Sequence, residues 1–361
     1  MREILDLRSR LEQAFVQTGE PGFAELWNAL SELPAIDGFD RIVGFQQLKR
    51  RVFRLAVATG SGQRSVVLKR LEPAVAQRNR LVAEQWLTAL GLGDHCARLL
   101  GVAAARRGDY VWHVYEDLGD ETLAAHCDPE LMCATVDFIA EMHTRAANHG
   151  VLPDLRRYAG NLGSQYFVAN VRDAIAALGG LADAAIESPP EFAGVTDRLL
   201  DRLVALRDDA PRRTRVFEEA AGPDTLLHGD LWPINVFVSE VPTGWHVRLV
   251  DWDKAGVGPF SYDLSTFLFR FPPAQRAPIV SRYRTAIGFA GRQLADEEEL
   301  QLLFDTSERA RYANRVIWPV LALLQQRAAW AFPELAEVER WFNALDSSSP
   351  MMIDSLRAAG R

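Results

Sequence analysis

The octapeptide His-Gly-Asp-Leu-Trp-Pro-Ile-Asn occupies residues 228–235 and brings an acid and an amide into one short turn. Asp230 and Asn235 fit the spacing D-L-x-x-x-N, which lets a carboxylate face a substrate hydroxyl while an amide oxygen reaches a metal ion. The alternative is an Asx-type turn, in which both side chains hydrogen-bond the local backbone. On this stretch alone, the two interpretations are equally supported.

A second acid downstream supplies the context. The run Trp-His-Val-Arg-Leu-Val-Asp-Trp-Asp, residues 245–253, is typical of a strand, and Asp251 falls where the chain leaves it. A carboxylate there can bind Mg²⁺ through oxygen alongside the Asn235 amide. Asp253 either supplies a further ligand or is a solvated turn residue. A base, a metal-binding amide and a metal-binding acid, in this order, favour a phosphoryl-transfer site.

A lysine and a glutamate upstream are candidates for the same site. Lys69 lies in the strand-like run Ser-Val-Val-Leu-Lys-Arg-Leu, residues 65–71, and Glu84 lies in the helical stretch that follows. A strand lysine paired with a helix glutamate holds an ammonium where nucleotide phosphates need one. The alternative is a strand-end lysine whose ammonium extends into water.

The order of elements around Lys69 indicates the fold of the N-terminal part. Ile4, Leu7, Leu11 and Phe15 recur at helical spacing, and a second short helix is expected over residues 23–33. Three strand-like runs, a helix over residues 73–90 and two more strands follow. The order β-β-β-α-β-β predicts a small antiparallel sheet with one helix, which belongs to the α+β class.

The C-terminal part is mainly helical. Helices are predicted near residues 129–149, 164–178, 191–208, 260–270, 274–288, 296–330 and 334–345, with one β-rich island at about 224–252. We place the boundary at about 117–121, giving an N-lobe of residues 1–117 and a C-lobe of residues 118–361 that carries the catalytic loop and the metal site.

Composition narrows the classes of function. The 361 residues carry a net charge of −8, which argues against a nucleic-acid-binding protein, since these present a basic surface. Three cysteines show no zinc-site spacing. There is neither the apolar segment of a signal peptide nor the ~20-residue run of a membrane span. We therefore expect a cytoplasmic protein without membrane or nucleic-acid partners, either a monomer or a homodimer.

Two longer stretches carry a family resemblance. Residues 226–238, LLHGDLWPINVFV, and residues 247–268, VRLVDWDKAGVGPFSYDLSTFL, resemble the aminoglycoside phosphotransferase/choline kinase family of small-molecule kinases. That family has HGD where protein kinases have HRD, and an acid after a strand in place of DFG. The resemblance implies a bilobal, protein-kinase-like fold with a small antiparallel-sheet N-lobe and a larger, mainly helical C-lobe.

The resemblance also implies roles for the motif residues. Asp230 would be the catalytic base, and Asn235 and Asp251 would bind Mg²⁺. Lys69 would contact the α- and β-phosphates of ATP, or of GTP, and Glu84 would fix Lys69.

Further roles follow from the same resemblance. The backbone of four residues at the end of the last predicted N-lobe strand would hydrogen-bond the adenine: Tyr115, Glu116, Asp117 and Leu118. His228 is interpreted as a residue that organises the loop, and Asp263 as a structural acid that supports it. Gly44 and the basic cluster at residues 49–51 either cover the triphosphate or form a solvated loop.

The predicted reaction is transfer of the γ-phosphate of ATP to a hydroxyl of a small molecule: an aminoglycoside or other antibiotic, a choline-like compound, or a sugar or amino alcohol. The alternatives are a protein Ser/Thr kinase and a non-catalytic nucleotide-binding module. Against the first, the chain lacks HRD, DFG and a following A-P-E. Trp318, Trp330 and Trp341 are either core residues or walls of a cage for a quaternary ammonium.

Overall fold

The structure of the protein is a computed structural model that describes residues 2–33, 39–60 and 62–359, with the backbone alone for residues 2–7, 39–40, 59 and 348–359. The chain divides into two compact units. One unit comprises Met1–Cys127 and Ile234–Asp253, and the other comprises Asp128–Pro233 and Lys254–Arg361.

The elements of the described residues follow in chain order. The strands are β1 (Phe39–Lys49), β2 (Val52–Thr59), β3 (Gly62–Leu71), β4 (Leu99–Ala104), β5 (Val111–Glu116), β6 (Gly160–Asn161), β7 (Thr225–Leu227), β8 (Val236–Val241), β9 (Gly244–Leu249) and β10 (Gly256–Gly258). The helices are α1 (Arg2–Val16), α2 (Phe23–Ser31), α3 (Pro73–Leu81), α4 (Leu87–Ala89), α5 (Pro129–Ala146), α6 (Leu152–Tyr158), α7 (Ser164–Asp183), α8 (Val195–Ala220), α9 (Ser261–Leu268), α10 (Pro273–Gly288), α11 (Glu297–Gln326) and α12 (Ala331–Ala359). A π-helical turn, Val82–Trp86, joins α3 to α4.

A five-stranded sheet organises the first unit. Its order is β1-β2-β3-β5-β4, and each neighbouring pair is antiparallel. Alternate residues of β2, namely Phe53, Leu55 and Val57, are buried in one core because successive side chains of a strand point to opposite faces. The predicted order β-β-β-α-β-β is confirmed.

The N-terminal helices pack into the same core. Leu11 and Phe15 of α1 are buried, and the Phe15 ring centroid lies 5.4 Å from that of Trp112 in β5. The predicted face residues Ile4 and Leu7 lie outside the residues whose side chains are described. The apolar face of α1 therefore packs against the core of the five-stranded sheet.

The β8–β9 hairpin groups with the first unit although it follows residue 233. Leu249 N donates to His95 O at 2.9 Å, and Leu123 N donates to Val236 O at 2.8 Å. The two units therefore differ from the lobes 1–117 and 118–361 drawn from the sequence. The sequence does not reveal that the hairpin belongs to the first unit, because the backbone hydrogen bonds that attach it join residues more than a hundred positions apart.

The second unit is mainly helical. One of its cores is formed by α7, α8, α11 and α12. The seven predicted helical regions all contain a helix, with α6 in addition. The acidic run at residues 296–299 begins α11, where the Asp296 carboxylate accepts from Glu298 N and Glu299 N as an N-cap.

A short sheet of order β6-β10-β7 completes the second unit, and β7 leads directly into the octapeptide. An antiparallel-sheet N-terminal part and a mainly helical C-terminal part confirm the predicted α+β class. Within the described ranges, no helix combines the length and the apolar composition needed to cross a membrane.

Candidate functional site

A cavity of about 430 Å³ lies in the first unit. Its lining includes seven residues that the sequence assigns to cofactor or metal: Lys69, Tyr115, Glu116, Asp117, Leu118, Asn235 and Asp251. The sheet and the β8–β9 hairpin thus bring together residues from three distant stretches of the chain. Glu84 is not part of the lining.

Lys69 is held at this cavity by two acids. Its Nζ lies 2.5 Å from Asp251 Oδ1 and 2.6 Å from Asp253 Oδ1, and its side chain is only 11% exposed. Burial alone would lower the pKa of Lys69, but the two carboxylates outweigh it and raise that pKa above its usual value. The ammonium is therefore charged at neutral pH.

Asp251 has the properties of a cation ligand. Its Oδ2 accepts a hydrogen bond from Lys49 Nζ at 2.6 Å. Burial would raise the pKa of Asp251, but the nearby charges of Lys69 and Lys49 lower it well below its usual range, so the carboxylate is ionised. Asn235, buried at 7% exposure, lines the same cavity. A carboxylate oxygen and an amide oxygen are ligand types that fit Mg²⁺.

Glu84 does not form the predicted pair with Lys69. It lies exposed on the π-helical turn, and its Oε2 accepts from Arg80 Nε at 2.8 Å. The face of this helical stretch that lines the cavity carries Asn79 and Ala83. Glu84, the next residue, is exposed and lies off that face.

Asp253 takes the position that the prediction gave to Glu84. Besides Lys69, its Oδ1 accepts from Asn79 Nδ2 at 3.0 Å, and its backbone oxygen accepts from Arg78 Nη1 at 2.5 Å. Asp253 therefore ties the lysine to α3. The sequence analysis missed this contact, and the polar Asn79 on an otherwise apolar helix face is the signal that could have revealed it.

We expect Glu84→Gln to change the dissociation constant of ATP by less than about fivefold, because an exposed i,i+4 ion pair contributes at most about 1 kcal/mol. Asp253→Asn is expected to weaken ATP binding more, because Asp253 positions the Lys69 ammonium through its contact with Asn79 of α3. Titration of both variants with ATP and Mg²⁺ measures the difference. A larger effect for Glu84→Gln would mean that Glu84 joins Lys69 once nucleotide binds.

The end of β5 and the residue that follows it are fixed by two acidic side chains. Glu116 Oε1 accepts from Arg98 N at 2.8 Å and from Arg248 Nη1 at 3.2 Å. Asp117 Oδ1 accepts from Arg54 Nη2 at 3.1 Å. The carboxylates of Glu116 and Asp117 therefore bind protein groups.

The stretch suggested for covering the triphosphate is mostly strand. β1 continues to Lys49 and β2 begins at Val52, so the turn between them consists of Arg50 and Arg51 alone. Arg51 adopts a left-handed φ of 64°. Of the basic cluster, Lys49 already contacts Asp251, whereas Gly44 lies within β1.

The first six residues of the octapeptide, 228–233, lie in the second unit, where Asp263 holds them. His228 N donates to Asp263 Oδ2 at 2.6 Å, and Gly229 N donates to Oδ1 at 2.9 Å. Within the loop, Asp230 N donates to His228 Nδ1 at 3.3 Å. Asp263 is fully buried, which would raise its pKa, but hydrogen bonds from His143 and Gly229 lower it.

Sequence reasoning missed the residues behind Asp263. His143 Nε2 lies 3.5 Å from Asp263 Oδ2, and His143 Nδ1 lies 2.9 Å from the hydroxyl of Tyr283. Both side chains are buried. The available signal was a histidine on the apolar face of a helix, since a buried imidazole needs polar partners.

Gly229 occupies a position that admits no side chain. Its φ is +81°, and a Cβ there would lie 1.9 Å from Lys254 O. This is the physical reason that a glycine stands between His228 and Asp230.

Gly229→Ala is expected to lower the midpoint of thermal unfolding, because backbone strain of about 1–3 kcal/mol adds to a backbone clash. Gly222→Ala is the matched control, since Gly222 has a φ of +72° but nothing within 4 Å of the added Cβ. Calorimetric scans of both variants separate the two costs. Equal melting temperatures would contradict the clash.

A charged cluster adjoins the loop in the second unit. The Arg270 guanidinium lies 3.9 Å from the centroid of the Trp232 ring, and Arg270 Nη2 is 3.7 Å from Glu308 Oε2. Glu308 is fully buried and pairs with Arg311. Burial alone would lower the pKa of Arg311, but Glu308 and other neighbours outweigh it and raise that pKa above its usual value. Arg270 therefore links Trp232 of the loop to the buried Glu308 carboxylate.

The three tryptophans considered for a cage have different environments. Trp318 and Trp330 are 60% and 56% exposed. Trp341 packs 5.7 Å from Tyr312 and donates to Glu337 Oε1 at 2.7 Å. The structure offers no support for a shared ammonium cage.

The chain is similar to a known protein family and to several solved structures. Residues 47–303 match the model of the phosphotransferase enzyme family, APH. No curated protein matches the chain. Among solved structures, ethanolamine kinase of Plasmodium vivax is 13% identical with a TM-score of 0.53, covering 86% of this chain and 83% of that one.

Two aminoglycoside-type enzymes are also similar. Spectinomycin phosphotransferase in complex with ADP and spectinomycin is 12% identical with a TM-score of 0.54, covering 85% of this chain and 93% of that one. An aminoglycoside phosphotransferase in complex with GDP and kanamycin is 12% identical with a TM-score of 0.57, covering 90% and 98%. At such identities the likeness concerns the fold, and it confirms the predicted protein-kinase-like fold. Because the family match spans well over half of its residues, the chain belongs to the phosphotransferase enzyme family.

Proposed function

We propose that the protein is an ATP- and Mg²⁺-dependent phosphotransferase that moves the γ-phosphate to a hydroxyl of a small molecule. The observation that carries this proposal is one cavity lined by Lys69, Asn235 and Asp251 together with the segment of residues 115–118. A phosphate-binding ammonium, two oxygen ligands and an adenine-binding backbone are the parts that nucleotide-dependent phosphoryl transfer needs.

Lys69 and Asp230 have separate tasks in this proposal. The Lys69 ammonium would exchange part of its pairing with Asp251 and Asp253 for oxygens of the α- and β-phosphates. When bound at Asn235 and Asp251, Mg²⁺ would neutralise charge on the phosphates. The Asp230 carboxylate would accept the proton of the acceptor hydroxyl.

The bond changes are simple. The acceptor oxygen forms a bond to the γ-phosphorus, the bond between that phosphorus and the bridging oxygen of ADP breaks, and the hydroxyl proton passes to Asp230 and then to water. Positioning and charge neutralisation supply most of the acceleration in such reactions.

The acceptor is proposed as a class. The names of similar structures include an ethanolamine kinase and complexes with spectinomycin and kanamycin, and the nucleotides named are ADP and GDP. We therefore include amino alcohols, aminoglycosides and other antibiotics, choline-like compounds and sugars, with GTP as an alternative donor.

A protein Ser/Thr kinase and a non-catalytic module are the competing proposals. The family match favours a small-molecule acceptor over a protein. Against a non-catalytic module, the lysine, the base and the metal-type oxygens are all present, and Asp251 and Lys69 are ionised and in contact.

The test is an ADP- and GDP-release assay with a panel of aminoglycosides, other antibiotics, choline, ethanolamine, homoserine and sugars. We expect at least one compound to stimulate release above the compound-free rate, only with Mg²⁺. A general protein substrate such as casein is the comparison. Stimulation by casein alone would support the protein-kinase alternative, and nucleotide binding without any turnover would support the non-catalytic one.

A further inference from the structure

A cluster of two imidazoles and a carboxylate lies in the first unit, outside the cavity lining. Asp94 and His95 belong to the segment after α4, and His246 belongs to β9. The ligand-type atoms of the three side chains lie within 4.8 Å of one another. His246 Nε2 is 3.3 Å from Asp94 Oδ2, and His95 Nε2 is 3.7 Å from Asp94 Oδ1.

The orientation of His95 is set by the backbone. Its Nδ1 lies 2.7 Å from Val247 O. A carbonyl oxygen only accepts, so Nδ1 carries the proton in the neutral ring and the Nε2 lone pair faces the cluster. Metal-binding histidines commonly have this support, in which the second ring nitrogen donates to a carbonyl.

His246 provides an independent observation. Its Nε2 is buried and makes no hydrogen bond of acceptable geometry, although such atoms are nearly always satisfied in proteins.

The two segments that carry these ligands are joined by the backbone. Leu249 N donates to His95 O at 2.9 Å, and Cys96 forms a bridge with Leu249. The cluster is therefore held between two tied segments. Cys96 is not part of the cluster of ligand-type atoms, and its Sγ lies 3.9 Å from Gly93 O.

We propose that His95, His246 and Asp94 form a binding site for a transition-metal dication of the Zn²⁺ type. The two Nε2 atoms and one carboxylate oxygen supply three ligands, and water completes a tetrahedral set. Imidazole ligands favour Zn²⁺ over Mg²⁺, so the site is chemically distinct from Asn235 and Asp251. It does not depend on the proposed phosphotransferase activity.

The experiment is calorimetric titration of the full chain with ZnCl₂, in an Asp251→Asn background that removes the oxygen-ligand site. We expect one zinc ion to bind, and His246→Ala or His95→Ala to weaken that binding at least about tenfold. His126→Ala is the matched control, since His126 is an exposed histidine paired with Glu121 outside the cluster. It should leave the zinc affinity unchanged.

Two further measurements keep the outcome clear if a histidine variant folds poorly. Asp94→Asn changes a side chain that is 74% exposed, so it should fold normally and still weaken zinc binding. Zn²⁺ should also raise the melting temperature of the background protein, because ligands of the folded state stabilise it. The proposal is overturned if no zinc binds, if the cluster variants bind it unchanged, or if Mg²⁺ binds equally well.

Discussion

Asp230→Asn is expected to lower kcat by about 10²–10⁴-fold, the usual contribution of a positioned general base. The amide matches the carboxylate in size but cannot take the proton of the acceptor hydroxyl. The loop itself should persist, because Asp263 holds it through His228 N and Gly229 N rather than through the Asp230 side chain. Steady-state kinetics with a stimulating acceptor measures kcat and the KM of ATP separately, and only kcat should fall.

Asp224→Asn is the matched control for this variant. Asp224 is a partly exposed acid of the same unit that pairs with Arg156, 2.9 Å away. Its replacement should leave kcat unchanged. If Asp230→Asn retained full turnover with a true acceptor, Asp230 would not be the base and the enzymatic assignment would need a different residue.

Asp251→Asn is expected to lower Mg²⁺-dependent turnover by about 10³-fold or more, because a metal ion contributes several kcal/mol of charge stabilisation. The protein should stay folded. Asp251 has a left-handed φ of 69°, a conformation that asparagine tolerates well. Lys69 also keeps Asp253 as a partner at 2.6 Å. Turnover as a function of Mg²⁺ concentration, with thermal unfolding alongside, measures both expectations.

Asp109→Asn serves as the control for the loss of one acid, since Asp109 is exposed in the same unit. It should change neither the Mg²⁺ dependence nor kcat. If Asp251→Asn kept an unaltered response to Mg²⁺, the metal ligands would be misassigned.

Local patterns predicted much of this molecule. The strand-like runs that contain Phe53 and Leu68 are two strands of the sheet, and the apolar spacing that ends at Phe15 marks the first helix. The positions of Asp230 and Asn235 in one turn, and of Asp251 at the end of a strand, can be predicted from the local sequence. Their roles in the reaction stay predictions until variants are assayed.

Contacts between distant residues were beyond such patterns. Whether Lys69 meets Glu84 or Asp253 depends on the phase of a helix that contains a π-helical turn, and one residue of phase changes the partner. The attachment of β8 and β9 to the first unit depends on backbone hydrogen bonds to His95 and Leu123. Every residue type except proline can form such bonds, so the sequence does not indicate them.

The two N-terminal helices have a practical meaning. They lie before the region that matches the family, yet Phe15 packs on Phe53 and Trp112, and Pro21 O accepts from the Trp112 indole at 3.0 Å. A chain shortened to the matched region would uncover a continuous apolar face of the sheet, which favours aggregation. These helices therefore cover an apolar surface of the sheet, and a shortened chain made for expression should still include them.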